Sequence, residues 1–219
     1  MKSNISYWLS LIQVTPPLHK RLFRYQLHQL IWKAFPGYPV GSRQPFLFAL
    51  TGQEDDKGVY CMVQSPERPR WDAVDACYRK EKYNAIKVRN IQGVKQIALD
   101  VHTGEQFLFR LQACPLKNVY QGRNKRGKKR PITHLDEAEQ WLLRRAEKQG
   151  IHLVRHEIQL EKILVRRRPE PYSRDIRLTI CEYQGLLEVM EPAKFTEGLT
   201  RGIGKKKIFG LGLMMLARA

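Results

Sequence analysis

Two side chains one helical turn apart form the clearest proton-transfer pair in the chain. In the run Tyr25-Gln26-Leu27-His28-Gln29-Leu30-Ile31-Trp32, the apolar residues Leu27, Leu30, Ile31 and Ala34 recur at the spacing of one helical face. A helix over Leu22 to Phe35 then carries Tyr25 and His28 on a common side. An imidazole with an unperturbed pKa of about 6.5 takes up or releases a proton near neutral pH, whereas a phenol at about 10 is a poor base there and acts as a hydrogen-bond donor. His28 lies off the centre of the apolar stripe, so Tyr25 and Trp32 are expected to position it while it stays reachable. By pattern alone, a histidine in this setting is more often a half-buried packing residue than a catalyst. The other histidines offer less. His152 and His156 sit in a strand-like run whose even spacing puts them on one sheet face, and His19, His102 and His134 fall near loops or termini. No metal site is expected from them.

A second constellation closes the chain. Gly202-Ile203-Gly204-Lys205-Lys206-Lys207-Ile208-Phe209-Gly210-Leu211-Gly212 brackets three lysines with two Gly-apolar-Gly units and runs into Leu213-Met214-Met215-Leu216. Glycine lets a backbone approach a phosphate, and lysine supplies the countercharge. The loop is therefore expected to be held rigidly at the mouth of a terminal strand, with Gly202, Gly204, Lys205, Lys206 and Lys207 at a polyanion. Taken by themselves, Gly210 and Gly212 would mark only a bulge or a crowded strand.

Charge points the same way. Thirty-nine Lys and Arg against twenty-one Asp and Glu leave a formal charge of +18, well beyond what solubility asks. The excess gathers in Arg123, Lys125, Arg126, Lys128, Lys129 and Arg130, in Arg166, Arg167 and Arg168, and in the three lysines of the glycine-rich loop. Clusters on separate loops suit a nucleic-acid backbone followed over a distance. The longest apolar run is too short to cross a bilayer, so a membrane partner is not expected. Cys61, Cys77, Cys114 and Cys181 show no ligand or redox spacing and read as buried reduced thiols. Ser6, Ser10 and Gln13 interrupt the N-terminal apolar stretch, no signal peptide is recognised, and a cytoplasmic location is expected.

These groups need a scaffold, and the order of elements predicts one. Tyr7 to Val14 reads as a strand ahead of the Tyr25/His28 helix. Phe46 to Leu50 and Val59 to Gln64 read as a hairpin, Trp71 to Tyr78 as a short helix, and Gln106 to Ala113 as the strand that closes a β-α-β-β-α-β unit over residues 1–115. A basic linker, Leu116 to Pro131, is expected to be mobile without a ligand. The second unit, residues 116–219, repeats the order loosely: a helix over Leu135 to Gln149, strands Ile151 to Val165 and Ile176 to Tyr183 joined by an Arg-rich tip, a helix from Pro192 and a last strand after the glycine-rich loop. The predicted fold is α+β, two tandem ferredoxin-like (RRM-like) domains joined by a basic linker. The paired aromatics of an RNP sequence are absent, so loops and hairpins rather than an open sheet are expected to meet a structured RNA.

Several segments in chain order resemble the CasE family of CRISPR repeat-processing endoribonucleases of the type I-E system. They are Tyr25-Gln26-Leu27-His28 with Trp32, Phe35 and Pro36, the Phe46-Leu47-Phe48 strand, Phe109-Arg110-Leu111-Gln112-Ala113-Cys114-Pro115, and the loop Gly202 to Gly212. The resemblance implies tandem ferredoxin-like domains that bind the stem-loop of CRISPR repeat RNA, cut once at its 3′ base without metal or other cofactor, and stay on the product as a Cascade subunit. It implies Tyr25 and His28 as the catalytic pair and a monomer in isolation. Cleavage would use the RNA's own 2′-OH and leave a 2′,3′-cyclic phosphate and a 5′-OH, with His28 moving the proton, Tyr25 assisting, and Arg24, Arg166 to Arg168 or Lys205 to Lys207 offsetting transition-state charge. The tip from Arg166 to Pro171 would enter the groove at the stem base, and Arg123 to Arg130 would follow its phosphates. This chain departs from the family in its long basic insert, Gln121 to Arg130, and in Pro169 and Pro171 at the hairpin tip. Two other classes remain open: a non-catalytic protein that binds structured RNA, and a purely structural Cascade subunit.

Overall fold

The computed structural model describes residues 2–15, 20–39, 41–55, 58–78, 88–120, 122, 127–167 and 175–219, with backbone alone for 20–22, 53–55 and 75–78. Strand β1 (Lys2–Val14), helix α1 (Lys20–Trp32), strands β2 (Leu47–Asp55) and β3 (Gly58–Ser65), helix α2 (Trp71–Tyr78) and strand β4 (Val88–His102) build the first unit. Its sheet runs β2-β3-β1-β4, antiparallel throughout. In the second unit, strand β5 (Gln106–Ala113) precedes helix α3 (Leu135–Lys148), and strands β8 (Ile151–Val165) and β9 (Ile176–Val189) precede helix α4 (Pro192–Arg201) and strand β10 (Met214–Arg218). Here the sheet order is β10-β5-β9-β8, again antiparallel. Each sheet therefore has its own first and third strands at the centre and its fourth and second at the edges, which is the ferredoxin-like arrangement twice over.

One strand changes sheets relative to expectation. Gln106–Ala113 does not close the first unit; it pairs with β9 and β10 as the first strand of the second. Phe107, Phe109, Leu111 and Ala113 alternate inward into the second core beside Trp141, Tyr183 and Phe195. The first sheet is closed instead by β4, a strand that the sequence pattern does not announce. Most of its positions are exposed or half-buried, so it carries little apolar alternation. The supposed linker also holds structure: β6 (Leu116–Val119) and β7 (Lys128–Pro131) pair as a short antiparallel hairpin.

A bulge corrects the histidine expectation as well. The register of β8 against β9 shifts between Leu153 and Arg155, and an extra residue reverses the inward and outward phase of a strand. His152 faces solvent, while His156 turns inward and places Nε2 2.8 Å from Glu139 Oε1 on α3.

The helices are fixed by their apolar faces. On α3, Ala138, Trp141, Leu142 and Ala146 are buried at helical spacing, and the Trp141 and Tyr183 rings stack at 5.9 Å. On α1, Leu27, Leu30 and Ile31 are buried against the first sheet with Phe35, Phe46 and Phe48. Polar ties then lock the two units together. Arg110 of β5 grips Glu182 through two contacts of 2.8 and 3.0 Å and donates to the Thr51 carbonyl of β2. Gln64 Nε2 donates to the Leu199 carbonyl at 2.9 Å. Among the described residues, no helix is long and apolar enough to cross a membrane. Cys61, Cys114 and Cys181 are buried free thiols whose pKa values burial pushes up; the Cys77 side chain lies outside the described residues.

Candidate active site and nucleic-acid interface

With Leu27, Leu30 and Ile31 committed to the first core, the remaining side of α1 faces the second unit. Tyr25 packs against a cluster of Cys114, Val165, Leu178, Ile180, Phe209 and Leu211. Its ring stacks on His28 at 5.7 Å and 20°. The His28 imidazole is boxed on its other sides by Trp32 at 5.5 Å, Phe46 at 5.6 Å and Phe48 at 6.4 Å. Arg167, at the end of β8, sets its guanidinium 5.3 Å above the centre of the Tyr25 ring, a cation–π contact. The expected pair is thus brought together at the junction of the two units, with a cation beside it.

The imidazole is less reachable than expected. Nδ1 and Nε2 of His28 are both buried and neither makes a hydrogen bond of good geometry, although the Gln44 side chain lies close enough to favour the protonated ring. Burial dominates, with Arg167 adding to it, and the pKa falls from 6.5 to about 4. At neutral pH the ring is therefore uncharged and able to accept a proton.

Arg24 serves a different purpose from a free phosphate contact. Nη1 donates to the Phe209 carbonyl at 3.0 Å and Nη2 approaches Gln112 Oε1 at 3.4 Å, tying α1 to the second unit; burial lowers the pKa of its guanidinium. Arg166 is likewise engaged, 2.7 Å from Asp175. Arg167 is exposed and meets Tyr25. Arg168, Pro169 and Pro171 lie outside the described residues.

The glycine-rich loop is held as tightly as expected, through its own packing. Ile203 donates to the Gly212 carbonyl and Gly212 to the Gln112 carbonyl, each at 2.7 Å. A Cβ on Gly212, whose φ is +92°, would come within 2.5 Å of the Ile203 carbonyl oxygen. At Gly202 and Gly204 that space is bounded by Leu47 at 2.8 Å and by Trp141 at 3.3 Å. These glycines are needed for internal fit whatever part they take in RNA binding. The lysines diverge: Lys205 is exposed, Lys206 adopts a left-handed conformation with φ of 66°, and Lys207 enters the 3₁₀ turn Lys207–Phe209 and donates to the Arg201 carbonyl.

Among the hairpin cations, Lys128, Lys129 and Arg130 are exposed, whereas Arg123, Lys125 and Arg126 lie outside the described residues. Lys129 and Lys205 line one small notch with Arg145, whose guanidinium lies over Trp141. The hairpin and the glycine-rich loop therefore share a basic face. Gln44 and the box role of Phe46 and Phe48 carry no signal in the sequence, because only tertiary folding brings them to α1.

Residues 7–218 match the family described as CRISPR associated protein. The CRISPR system Cascade subunit CasE of Escherichia coli (strain K12) is 27% identical over 208 residues, covering 88% of this chain and 91% of that protein. The CRISPR-associated endoribonuclease Cse3 of Thermus thermophilus is 26% identical over 202 residues, covering 88% and 89%. A solved structure of Thermus thermophilus Cse3, bound to an RNA representing a pre-cleavage complex, shares the fold with a TM-score of 0.75 at 23% identity, over 97% of this chain and all of that one.

Proposed function

The chain belongs to the CRISPR associated protein family, and from that footing we propose that it is the endoribonuclease that processes CRISPR repeat RNA in a type I-E system. It binds the repeat stem-loop, cuts precursor RNA at the 3′ base of the stem, and stays on the mature RNA as a Cascade subunit in the cytoplasm. The observation that carries the reading is the Tyr25/His28 stack at the junction of the two units, with a neutral imidazole beside Arg167.

The chemistry follows from those groups. Neutral His28 accepts the proton of the ribose 2′-OH, the 2′ oxygen forms a bond to the adjacent phosphorus, and the bond from phosphorus to the 5′ oxygen breaks. The balance is one proton moved from the 2′ to the 5′ oxygen, giving a 2′,3′-cyclic phosphate and a 5′-OH. Tyr25 donates a hydrogen bond and keeps the ring in register, and Arg167 offsets charge on the pentacoordinate phosphorus. The nucleophile belongs to the RNA, so no cofactor is required. Because both imidazole nitrogens are covered in the free protein, cleavage requires the ring to swing out of its box or the Gln44 side chain to yield. Lys128, Lys129, Arg130 and Lys205 hold stem phosphates on the shared basic face.

The same covering of His28 favours one other reading, a protein that binds repeat RNA without cutting it. A cleavage assay on a synthetic repeat hairpin separates the two. Wild type should cut in excess EDTA, a substrate with 2′-deoxyribose at the cut site should bind uncut, and His28→Ala should bind the hairpin but leave it intact. Tyr25→Phe, which keeps the ring, should slow cleavage less. Cutting at the wild-type rate by His28→Ala would sink the assignment.

A further inference from the structure

Beside the histidine box lies a cavity of about 380 Å³, walled by the segment that joins α1 to β2, by the end of β3 and by the end of α4 with its following loop. Its lining includes Tyr7, Tyr38 and Phe46 on one hand and Arg43, Arg201 and Lys207 on the other. The cavity and the candidate active site share a wall: Phe46, which lines the cavity, is one of the rings around His28, and Gln44, also lining it, is the polar neighbour of the imidazole.

Three features mark it as a site for an anion attached to a flat apolar group. Burial, Arg43 and Arg201 together lower the Lys207 pKa, so the cations crowd one another. Arg201 is matched by Glu197 at 2.6 Å, but among the described residues no carboxylate pairs with Arg43 or Lys207. Among the described residues the Tyr7 hydroxyl, half-buried in the lining, has no hydrogen-bond partner, whereas Tyr38 is already committed to Glu67 at 2.8 Å. Finally, Gln44, which lines the cavity, buries a side-chain oxygen that has no partner among the described residues; buried polar atoms are nearly always satisfied, so this exception points to a group that arrives later.

We propose that this cavity is a subsite for the single-stranded nucleotide immediately 3′ of the cut, its 3′ phosphate held by Arg43 and Lys207 and its base set against the aromatic lining with Tyr7 as hydrogen-bond donor. The inference rests on the endoribonuclease reading above. If cleavage falls at the 3′ base of the stem, the RNA on the 5′ side of the cut is duplex, too wide for this cavity. The next nucleotide on the 3′ side is unpaired and free to splay, which is how single strands present a base to a pocket and a phosphate to cations. Such a nucleotide would tie the leaving strand down beside His28.

The test uses the full chain and two uncleavable hairpins with 2′-deoxyribose at the cut, one ending flush at the stem and one carrying three further 3′ nucleotides. For wild type, the flank should raise affinity about tenfold, the scale of a phosphate contact with a stacked base. Arg43→Gln and Tyr7→Phe should each reduce that gain to threefold or less, and Arg43→Lys should recover part of it. No gain from the flank in wild type overturns the subsite while leaving hairpin binding and cleavage untouched. A gain that both Arg43→Gln and Tyr7→Phe retain in full overturns it as well, assigning the flank to another surface. Failure of wild type to bind the flush hairpin would instead overturn the endoribonuclease reading, and this inference with it.

Discussion

Acid should destabilise this protein partly through a single side chain. In the folded chain His28 has a pKa of about 4 instead of 6.5, because burial among rings disfavours the imidazolium, and Arg167 disfavours it further. The unfolded chain imposes no such penalty and binds more protons wherever the pH lies between the two values. Stability contributed by keeping the ring neutral is therefore complete above about 6.5 and is lost as the pH falls toward about 4. With those two pKa values, linkage gives a loss of roughly 2.5 kcal/mol at about pH 4.5, and under ~0.1 kcal/mol at about pH 7.5. His28→Phe keeps a ring in the box and removes the titration, leaving the acid response of every other group in place. Urea unfolding of both proteins at those two pH values isolates the difference. Wild type should lose about 2.5 kcal/mol more than His28→Phe across the interval. Equal losses would show that the imidazole is solvated or compensated in the folded state, and the closed aromatic box would be refuted with it.

The same neutral ring shapes the rate profile: kcat/KM for hairpin cleavage, which reports the free enzyme, should be flat from about pH 5.5 to 8 and fall at lower pH. A rate that declines as the pH rises through 7 would make His28 the acid. In the glycine-rich loop, Gly212→Ala should cost about 2–3 kcal/mol in urea unfolding, combining left-handed strain with the approach to the Ile203 carbonyl. Gly104→Ala supplies the control, since its φ is +84° with nothing near the added Cβ, and strain alone should cost about 1–2 kcal/mol. Neutralising Lys128, Lys129 and Arg130 together should flatten the plot of log affinity against log salt by roughly 0.7 to 0.9 for each phosphate no longer neutralised. An unchanged slope would remove the hairpin from the RNA path.

The elements that carry the site were legible because their signals are local. A 3.6-residue apolar period sets α1 and the relation of Tyr25 to His28, and the glycines mark a loop that must fold closely on itself. Sheet membership is not local. The alternation Phe107, Phe109, Leu111, Ala113 identifies a strand equally well in either unit, and only its pairing with β9 and β10 assigns it to the second. Strand β4 pairs with β1 over its whole length, but its inward contacts, Val88 and Val94 against the first core and Leu99 and Val101 against the second, are scattered among exposed positions, which removes the pattern that periodicity detects. The accessibility of His28 is not legible in the sequence for a related reason. Its own helix leaves it off the apolar stripe, but Phe46 and Phe48 arrive from β2 and close over it.

That closure explains why the pair belongs at the junction rather than on either sheet alone. The first unit supplies the helix and the rings that lower the His28 pKa, and the second supplies Arg167 and the packing surface for Tyr25. Arg24 links the two by bonding the Phe209 carbonyl, which is why a basic residue next to Tyr25 is occupied with architecture and not with phosphate. Moving the units apart would separate the proposed base from the cation proposed to offset charge at phosphorus, and on that reading the two are worth most when held in place beforehand. The contacts that bridge the units at Arg24, Gln64 and Arg110 are then as much a part of the proposed catalytic arrangement as His28 and Arg167 themselves.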